Sequence, residues 1–187
     1  MSAVTEKIKL LCADRNMSTE ELATGAGLTV DQVNTICESD IIPSLSSLIK
    51  IARALGVRLG TFLDDNEEMG PAVNRHTESQ QSVTFTSHQT SNNSHMDFMS
   101  LAAKKAGRNM EPFLINIQSG TGKESLSSHE GEEFLFVLEG SIIVHYGTDK
   151  YILNQGDSIY YDSIVNHLVT ANDNSEAKIL GVVYSPA

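Results

Sequence analysis

The 187-residue chain has no tryptophan, only two cysteines and four prolines, and 13 basic side chains against 24 acidic ones. Each shortage excludes something. Two cysteines cannot form the disulfide framework of a small secreted domain. Cys12 and Cys37 lie in helical patterns beside apolar neighbours and read as buried thiols in a reducing compartment. No apolar run approaches the roughly 18 residues of a membrane-spanning helix, and the opening MSAVTEKIKL lacks the basic-then-apolar pattern of a secretory signal. The expectation is a cytoplasmic protein with no membrane partner. The shortage of basic groups counts against polyanionic partners. Net charge is −11, with 6 basic and 9 acidic groups in residues 1–65 and 7 and 15 in residues 66–187. Neither half shows the basic footprint usual for a nucleic-acid binder. The length allows one or two small domains with real cores.

Residues 4–63 carry the helical period. Val4, Ile8, Leu11 and Cys12 share one face. Ser18-Thr19-Glu20-Glu21 is a capping box, in which the serine accepts from the third backbone amide while Glu21 reaches back, and Thr29-Val30-Asp31-Gln32 repeats the signature. Pro43-Ser44 opens a further helix, Leu45 to Leu55, stopped by Gly56, and a short one around Leu59 to Leu63 completes a bundle of about five. Residues 64–80, DDNEEMGPAVNRHTESQ, are polar and aperiodic, which places a linker at 65–82. Val83 to Thr86 reads as an edge strand. From about Phe113 the period is 2, in runs such as Glu133 to Leu138, Ser141 to Tyr146, Ser158 to Tyr161 and Lys178 to Tyr184, separated by Gly, Asn and Asp turns. Short strands so spaced argue a sandwich or barrel. Leu135 and Val137 alternate with Phe134, Phe136 and Leu138, so this strand is apolar on both faces. Its outer face needs a cover, either a second subunit or the 83–117 segment.

Spacing within residues 19–38 is the most specific feature of the helical half. Ala23 is followed by Gly27, Val33 and Ile36 at four, ten and thirteen residues, with Leu22, Ala26 and Leu28 filling the other buried positions. A small residue at Ala23 permits close helix crossing, Gly27 makes the tight turn, and Val33 and Ile36 pack the second helix back. With Pro43 to Leu45 and Ile51 to Val57, this resembles the phage-repressor-like (XRE) helix-turn-helix family. The resemblance implies a recognition helix over Thr29 to Cys37, with Thr29, Val30, Asp31, Gln32, Asn34 and Thr35 facing a DNA major groove. Gln32, Asn34 and Thr35 can hydrogen-bond bases or phosphates, and Val30 can meet a thymine methyl. Arg15, Lys50 and Arg53, with Arg58, are the candidate phosphate contacts, since the helix has no Lys or Arg and carries Asp31 and Glu38.

The second constellation lies in the β half. His129 and Glu133 are an even number of residues apart, so both leave the same face of an extended segment. His167 follows thirty-four residues after Glu133, beyond the Gly156-Asp157 turn. Two histidines and a carboxylate facing inward are the ingredients of a facial triad suited to Fe(II) and other first-row divalent metals. His129, Glu133 and Gly140, followed by Gly156 and His167, resemble the two motifs of the cupin superfamily. Where that family usually has one more histidine, two before His129, this chain has Ser127. The resemblance implies a divalent metal (Fe, Zn, Ni or Mn) at His129, Glu133 and His167, with Ser127 and Tyr161 lining an effector pocket. His76, His88, His95 and His145 read as bystanders.

The expected fold class is therefore α + β in separate domains: an all-α helix-turn-helix bundle (1–64), the linker, and an all-β cupin barrel, or double-stranded β-helix (83–187). Met110-Glu111-Pro112-Phe113 and His129-x-Gly-x-Glu-Phe are similar to the XRE–cupin regulators. That likeness implies a homodimer joined through its cupin domains, which binds a double-stranded, palindromic DNA operator and senses a small-molecule effector, with metal assistance. Half-sites would be spaced by about 10 base pairs or a multiple. The chain also resembles mononuclear non-haem iron oxygenases and epoxidases acting on phosphonates, which would place iron on the same triad and a substrate near Lys123, Lys104, Lys105 or Arg108. An acidic recognition helix favours that alternative, since an enzyme need not keep DNA contacts.

Overall fold

The computed structural model describes residues 2–38, 43–63, 70–75, 82–85, 96–119, 126–172 and 175–186. Its helical half contains α1 (Ala3–Asp14), α2 (Thr19–Ala26), α3 (Val30–Glu38), α4 (Leu45–Ala54) and α5 (Gly60–Leu63). Each start has a local cause. The Ser18 hydroxyl accepts from Glu21 N–H while Glu21 Oε2 accepts from Ser18 N–H at 2.8 Å. Thr29 and Gln32 make the same reciprocal pair at α3, at 3.1 and 2.8 Å. Gly27, at φ +61°, ends α2 in the left-handed conformation that the turn between the two helices requires. Ile8, Leu22, Val33, Leu48 and Phe62 are essentially fully buried between the helices. Each contributes about 1.5–3 kcal/mol on removal from water. Ala23 and Ile36 are buried with them, as the spacing predicts. The two cysteines are free, but they are half-buried rather than buried, because each packs on the rim of this core.

The β half contains β1 (Ser82–Phe85), β2 (Met96–Ser100), β3 (Met110–Ile117), β4 (Glu132–Glu139), β5 (Ser141–Tyr146), β6 (Asp149–Asn154), β7 (Ser158–Asp162), β8 (His167–Ala171) and β9 (Ala177–Tyr184). They form an antiparallel six-stranded sheet in the order β1-β2-β3-β9-β4-β7 and a three-stranded sheet in the order β6-β5-β8. This is the helix-turn-helix plus cupin architecture expected, with the barrel built as two sheets rather than one closed ring of ladders. Strands β2 and β6 are not among the runs that the period of 2 singles out. Asp149 to Asn154 is almost wholly exposed, so it has no buried face for a period of 2 to reveal. The linker expected at 65–82 lies largely outside the described residues, and the edge strand expected at Val83 to Thr86 is β1.

Inside the domain, Phe113, Ile115, Leu135, Val137, Ile142, Val144 and Ile179 form the core, with Phe98 edge-on to Phe113 at 5.7 Å. Among its described residues, the 83–117 segment does not cover the outer face of β4. Its strands pair edge to edge and widen the same sheet instead.

One glycine ties β4 to the chain end. Gly131 has φ +109°, and a β-carbon there would lie 1.9 Å from the Tyr184 carbonyl oxygen. Gly131→Ala is expected to lower stability by on the order of 3 kcal/mol. The check is a urea unfolding curve, whose midpoint falls while its slope is kept.

Candidate functional site

Strand register gathers the polar groups of the barrel interior. Glu133 on β4 stands opposite Tyr161 on β7 and Val183 on β9. Ser127 pairs by backbone with His167 at the start of β8. His129, Glu133 and His167 are buried together, each at most 9% exposed. His129 Nε2 is 2.9 Å and His167 Nε2 3.4 Å from the same carboxylate oxygen, Glu133 Oε1. The even spacing of His129 and Glu133 gives the right interior face for both. The path between them, however, is kinked at Gly131 rather than a continuous strand.

The protonation pattern bears directly on what this cluster can hold. His129 Nδ1 is 3.1 Å from the Glu130 carbonyl oxygen, and His167 Nδ1 is 2.8 Å from that of Val165. A carbonyl only accepts, so both Nδ1 atoms carry hydrogen and donate. In the neutral rings both Nε2 lone pairs then face a carboxylate oxygen. Acceptors facing acceptors require a cation between them, either protons on the rings or a metal ion. Burial alone would raise the Glu133 pKa, but hydrogen bonds from His129 and His167 outweigh it and hold this carboxyl far below its ordinary range. Burial pulls the His167 pKa down, yet the bond to Glu133 reverses the sign and the net shift is upward. Tyr161 is pushed far up by burial and by the Glu133 charge, so it remains a phenol and donates to Glu133 Oε2 at 2.7 Å.

Ser163, fully buried, donates to Glu133 Oε1 at 3.1 Å. Sequence reasoning missed it. The available signal was its position two residues after Tyr161, which puts both on one face. Tyr161 stands in the site as expected, while its neighbour Tyr160 is 63% exposed and hydrogen-bonds Glu132. Ser127 is half-buried beside His167 and contributes backbone bonds.

The ligand atoms of His129, Glu133 and His167 lie within 4.8 Å of one another. Adjacent ligands around an ion with bonds of about 2.1 Å stand roughly 3 Å apart, close to the observed contacts of Glu133. The triad can hold a metal ion.

The expected DNA-facing residues also come out as a surface. Thr29, Val30, Asp31, Gln32, Asn34 and Thr35 are all exposed on α3 or at its cap. Two of the polar side chains have local duties, Gln32 in the cap and Thr35 donating to the Asp31 carbonyl at 2.8 Å. Asn34 has no such commitment. Arg15 is exposed at the end of α1, and Lys50 is half-buried on α4. Arg53 is paired with Glu130 of the β half. Lys104 and Lys105 lie in the described residues, and Lys105 Nζ donates to the Ala106 carbonyl. Lys123, His76, His88 and His95 fall outside the described residues, and His145 is half-buried on β5 away from the triad.

Comparison with known families resolves the two halves. Residues 7–68 match the Cro/C1-type HTH DNA-binding domain, and residues 113–183 match the cupin domain. The chain joins a Cro/C1-type helix-turn-helix domain to a cupin domain. It is 23% identical over 180 residues to the HTH-type transcriptional regulator SutR of Escherichia coli (strain K12), spanning 96% of this chain and 93% of that one. Among solved structures, an HTH_3-family transcriptional regulator from Vibrio cholerae superposes with a TM-score of 0.69 at 20% identity, covering 100% of this chain and 97% of that one. The Fe(II) form of HppE superposes with a TM-score of 0.51 at 23% identity, covering 98% of each chain. At these identities the structural likenesses concern the fold. Strands β1 and β2 precede the matched cupin region and extend it.

Loading with Co(II) is expected to give a visible ligand-field spectrum that His129→Ala and His167→Ala abolish, each weakening metal binding by more than about 100-fold. Tyr161→Phe, which removes only a supporting bond to Glu133, weakens it by about 10-fold. Metal titration followed by absorbance checks both.

Proposed function

We propose that this protein is a sequence-specific DNA-binding transcriptional regulator whose cupin domain senses a small-molecule effector at, or through, a metal held by His129, Glu133 and His167. The observation that carries the reading is the intact steric frame of the Cro/C1-type head. Ala23, Gly27, Val33 and Ile36 do their packing work and leave the outer face of α3 exposed, with Asn34 uncommitted on it. The regulator name of the Escherichia coli relative, similar along nearly its whole length, supports it. The proposed division is a head at 1–64, a linker at 65–82 and a sensing domain at 83–187. The effector pocket is assigned to the interior beside Ser127 and Tyr161, and the metal to a first-row divalent ion such as Fe, Zn, Ni or Mn, which suits the two-histidine, one-carboxylate donor set.

A dimer follows from the unsatisfied sheet face. On the outside of the six-stranded sheet, Pro112, Val182, Phe134 and Tyr160 form one cross-strand row, and Leu114, Leu180 and Phe136 the next. These side chains are half-buried or exposed. The described strands of the 83–117 segment lie within the sheet and do not cover this face. A contiguous apolar face of this kind marks an interface, and a second copy gives the two-fold symmetry that a palindromic operator requires. The oxygenase alternative shares the triad. Its cation candidates are less favourable, because Arg108 is clamped by Glu111 and Lys105 reaches a backbone carbonyl.

Selection from random duplexes at low salt is expected to enrich a palindrome. Asn34→Ala then weakens binding to it by about 5–150-fold, the range of 1–3 kcal/mol for a lost base contact. No enriched sequence at all would overturn the regulator. Sedimentation equilibrium is expected to give a dimer, which Phe136→Asp converts to a folded monomer.

A further inference from the structure

Two basic side chains of the head lie against the cupin domain, and one of these contacts adjoins the triad. Arg53, in the last turn of α4, donates from Nη1 to Glu130 Oε1 at 2.5 Å. Glu130 directly follows His129, and its carbonyl is the acceptor of His129 Nδ1–H. The second contact is at Gly107, where a β-carbon would lie 3.5 Å from Arg58 Nη1. Gly107 precedes Arg108, whose guanidinium donates to Glu111 Oε2 at 2.7 Å and to the Lys105 carbonyl, with both charged side chains nearly fully buried. Glu111 shares an interior row with Glu133, across Val183. The Arg53 contact therefore falls at the end of the cupin domain that carries the candidate metal ligands.

We propose that the Arg53–Glu130 pair is a latch that fixes the orientation of the head, and that occupancy of the His129–Glu133–His167 site operates it through the His129–Glu130 peptide. The proposal rests on the regulator reading and supplies its missing link between sensing and DNA binding. The segment around the latch has little other freedom. His129 N–H donates to the Ser163 carbonyl at 3.0 Å, Ser163 N–H donates to the Gly131 carbonyl at 2.9 Å, and Gly131 accepts no side chain. Re-aiming His129 Nε2 from Glu133 toward a cation turns the ring, and Nδ1–H carries the Glu130 carbonyl with it. On the head side, Ala54 follows Arg53 and packs on the first helix of the motif, a β-carbon at Gly25 lying 3.3 Å from that of Ala54. A displacement at Arg53 thus moves the helix-turn-helix as a body. The pair is about half exposed on both sides, so it is weak and easily exchanged. A small difference in ligand affinity between the latched and released states is then enough to shift the population.

The test uses the full-length protein with Cys12→Ser and Cys37→Ser, spin-labelled at Leu10→Cys and Ile152→Cys, two exposed positions away from the latch. It is diluted with unlabelled protein so that only distances within one chain are read by pulsed electron resonance. Without metal, a narrow distance distribution is expected, which Glu130→Gln broadens or displaces and the exchanged pair Arg53→Glu with Glu130→Arg restores. Zn(II) shifts the parent distribution and leaves that of Glu130→Gln and of His167→Ala unchanged. Identical distributions for parent and Glu130→Gln overturn the latch. A parent that binds Zn(II) without any shift overturns the coupling. Neither readout involves DNA, so failure to enrich an operator would strike the regulator reading and leave the latch result standing.

Discussion

A single carboxylate organises the cupin half. Glu133 is buried and ionised, a state that is expensive unless every lone pair is met. It is met from four sides: Ser163 and Tyr161 donate hydroxyls, and His129 and His167 turn Nε2 toward Oε1. The two histidines are locked the other way round, each Nδ1–H held by a backbone carbonyl. Everything nearby follows from keeping these groups in place. The Glu133–Tyr161 register, the backbone bridge between Ser127 and His167, and the glycine at 131 all serve one point in space. A site that arranges lone pairs toward a common centre and fixes the outer nitrogens is preorganised for a cation rather than for an apolar ligand.

Much of this was legible from residue spacing, for physical reasons that differ between the halves. In the head, helix crossing is controlled by sterics at single positions. The presence of Ala23, Gly27, Val33 and Ile36 at fixed intervals therefore leaves little choice of geometry. In the cupin domain, strand β4 declared its inner face through Leu135 and Val137, and Glu133 could be placed inside by parity. What stayed hidden depends on non-local pairing. Ser163 and Tyr161 meet Glu133 because β7 sits beside β4 in one register, which no local pattern encodes. The buried Arg108–Glu111 pair is similar, since neither the loop residue Arg108 nor Glu111 near the start of β3 carries a local pattern that announces its burial. β6, exposed almost throughout, is a strand only because β5 offers it a ladder.

The apolar outer face illustrates a second kind of limit. Sequence alone shows that Phe134, Phe136 and Leu138 need a cover and leaves open what supplies it. Topology decides against β1, β2 and β3 as that cover, because strands that pair edge to edge enlarge the face rather than hide it. By widening the sheet, β3 adds Pro112 and Leu114 beside Val182 and Leu180 on that apolar face.

Charge binds these parts together. With 6 basic groups against 9 acidic ones in its first 65 residues, a lone head has little phosphate-neutralising capacity. One of those basic groups, Arg53, is engaged by Glu130, and the recognition helix has none. In the proposed dimer, affinity for DNA would come from two weak heads acting together, and the gain from joining them would depend steeply on whether their geometry allows simultaneous engagement. In such a molecule a small rotation of each head on its cupin domain is a large change in binding. The acid excess, which at first counts against DNA as a partner, becomes the reason why control through head orientation is sensitive: where each head binds poorly alone, alignment carries most of the affinity.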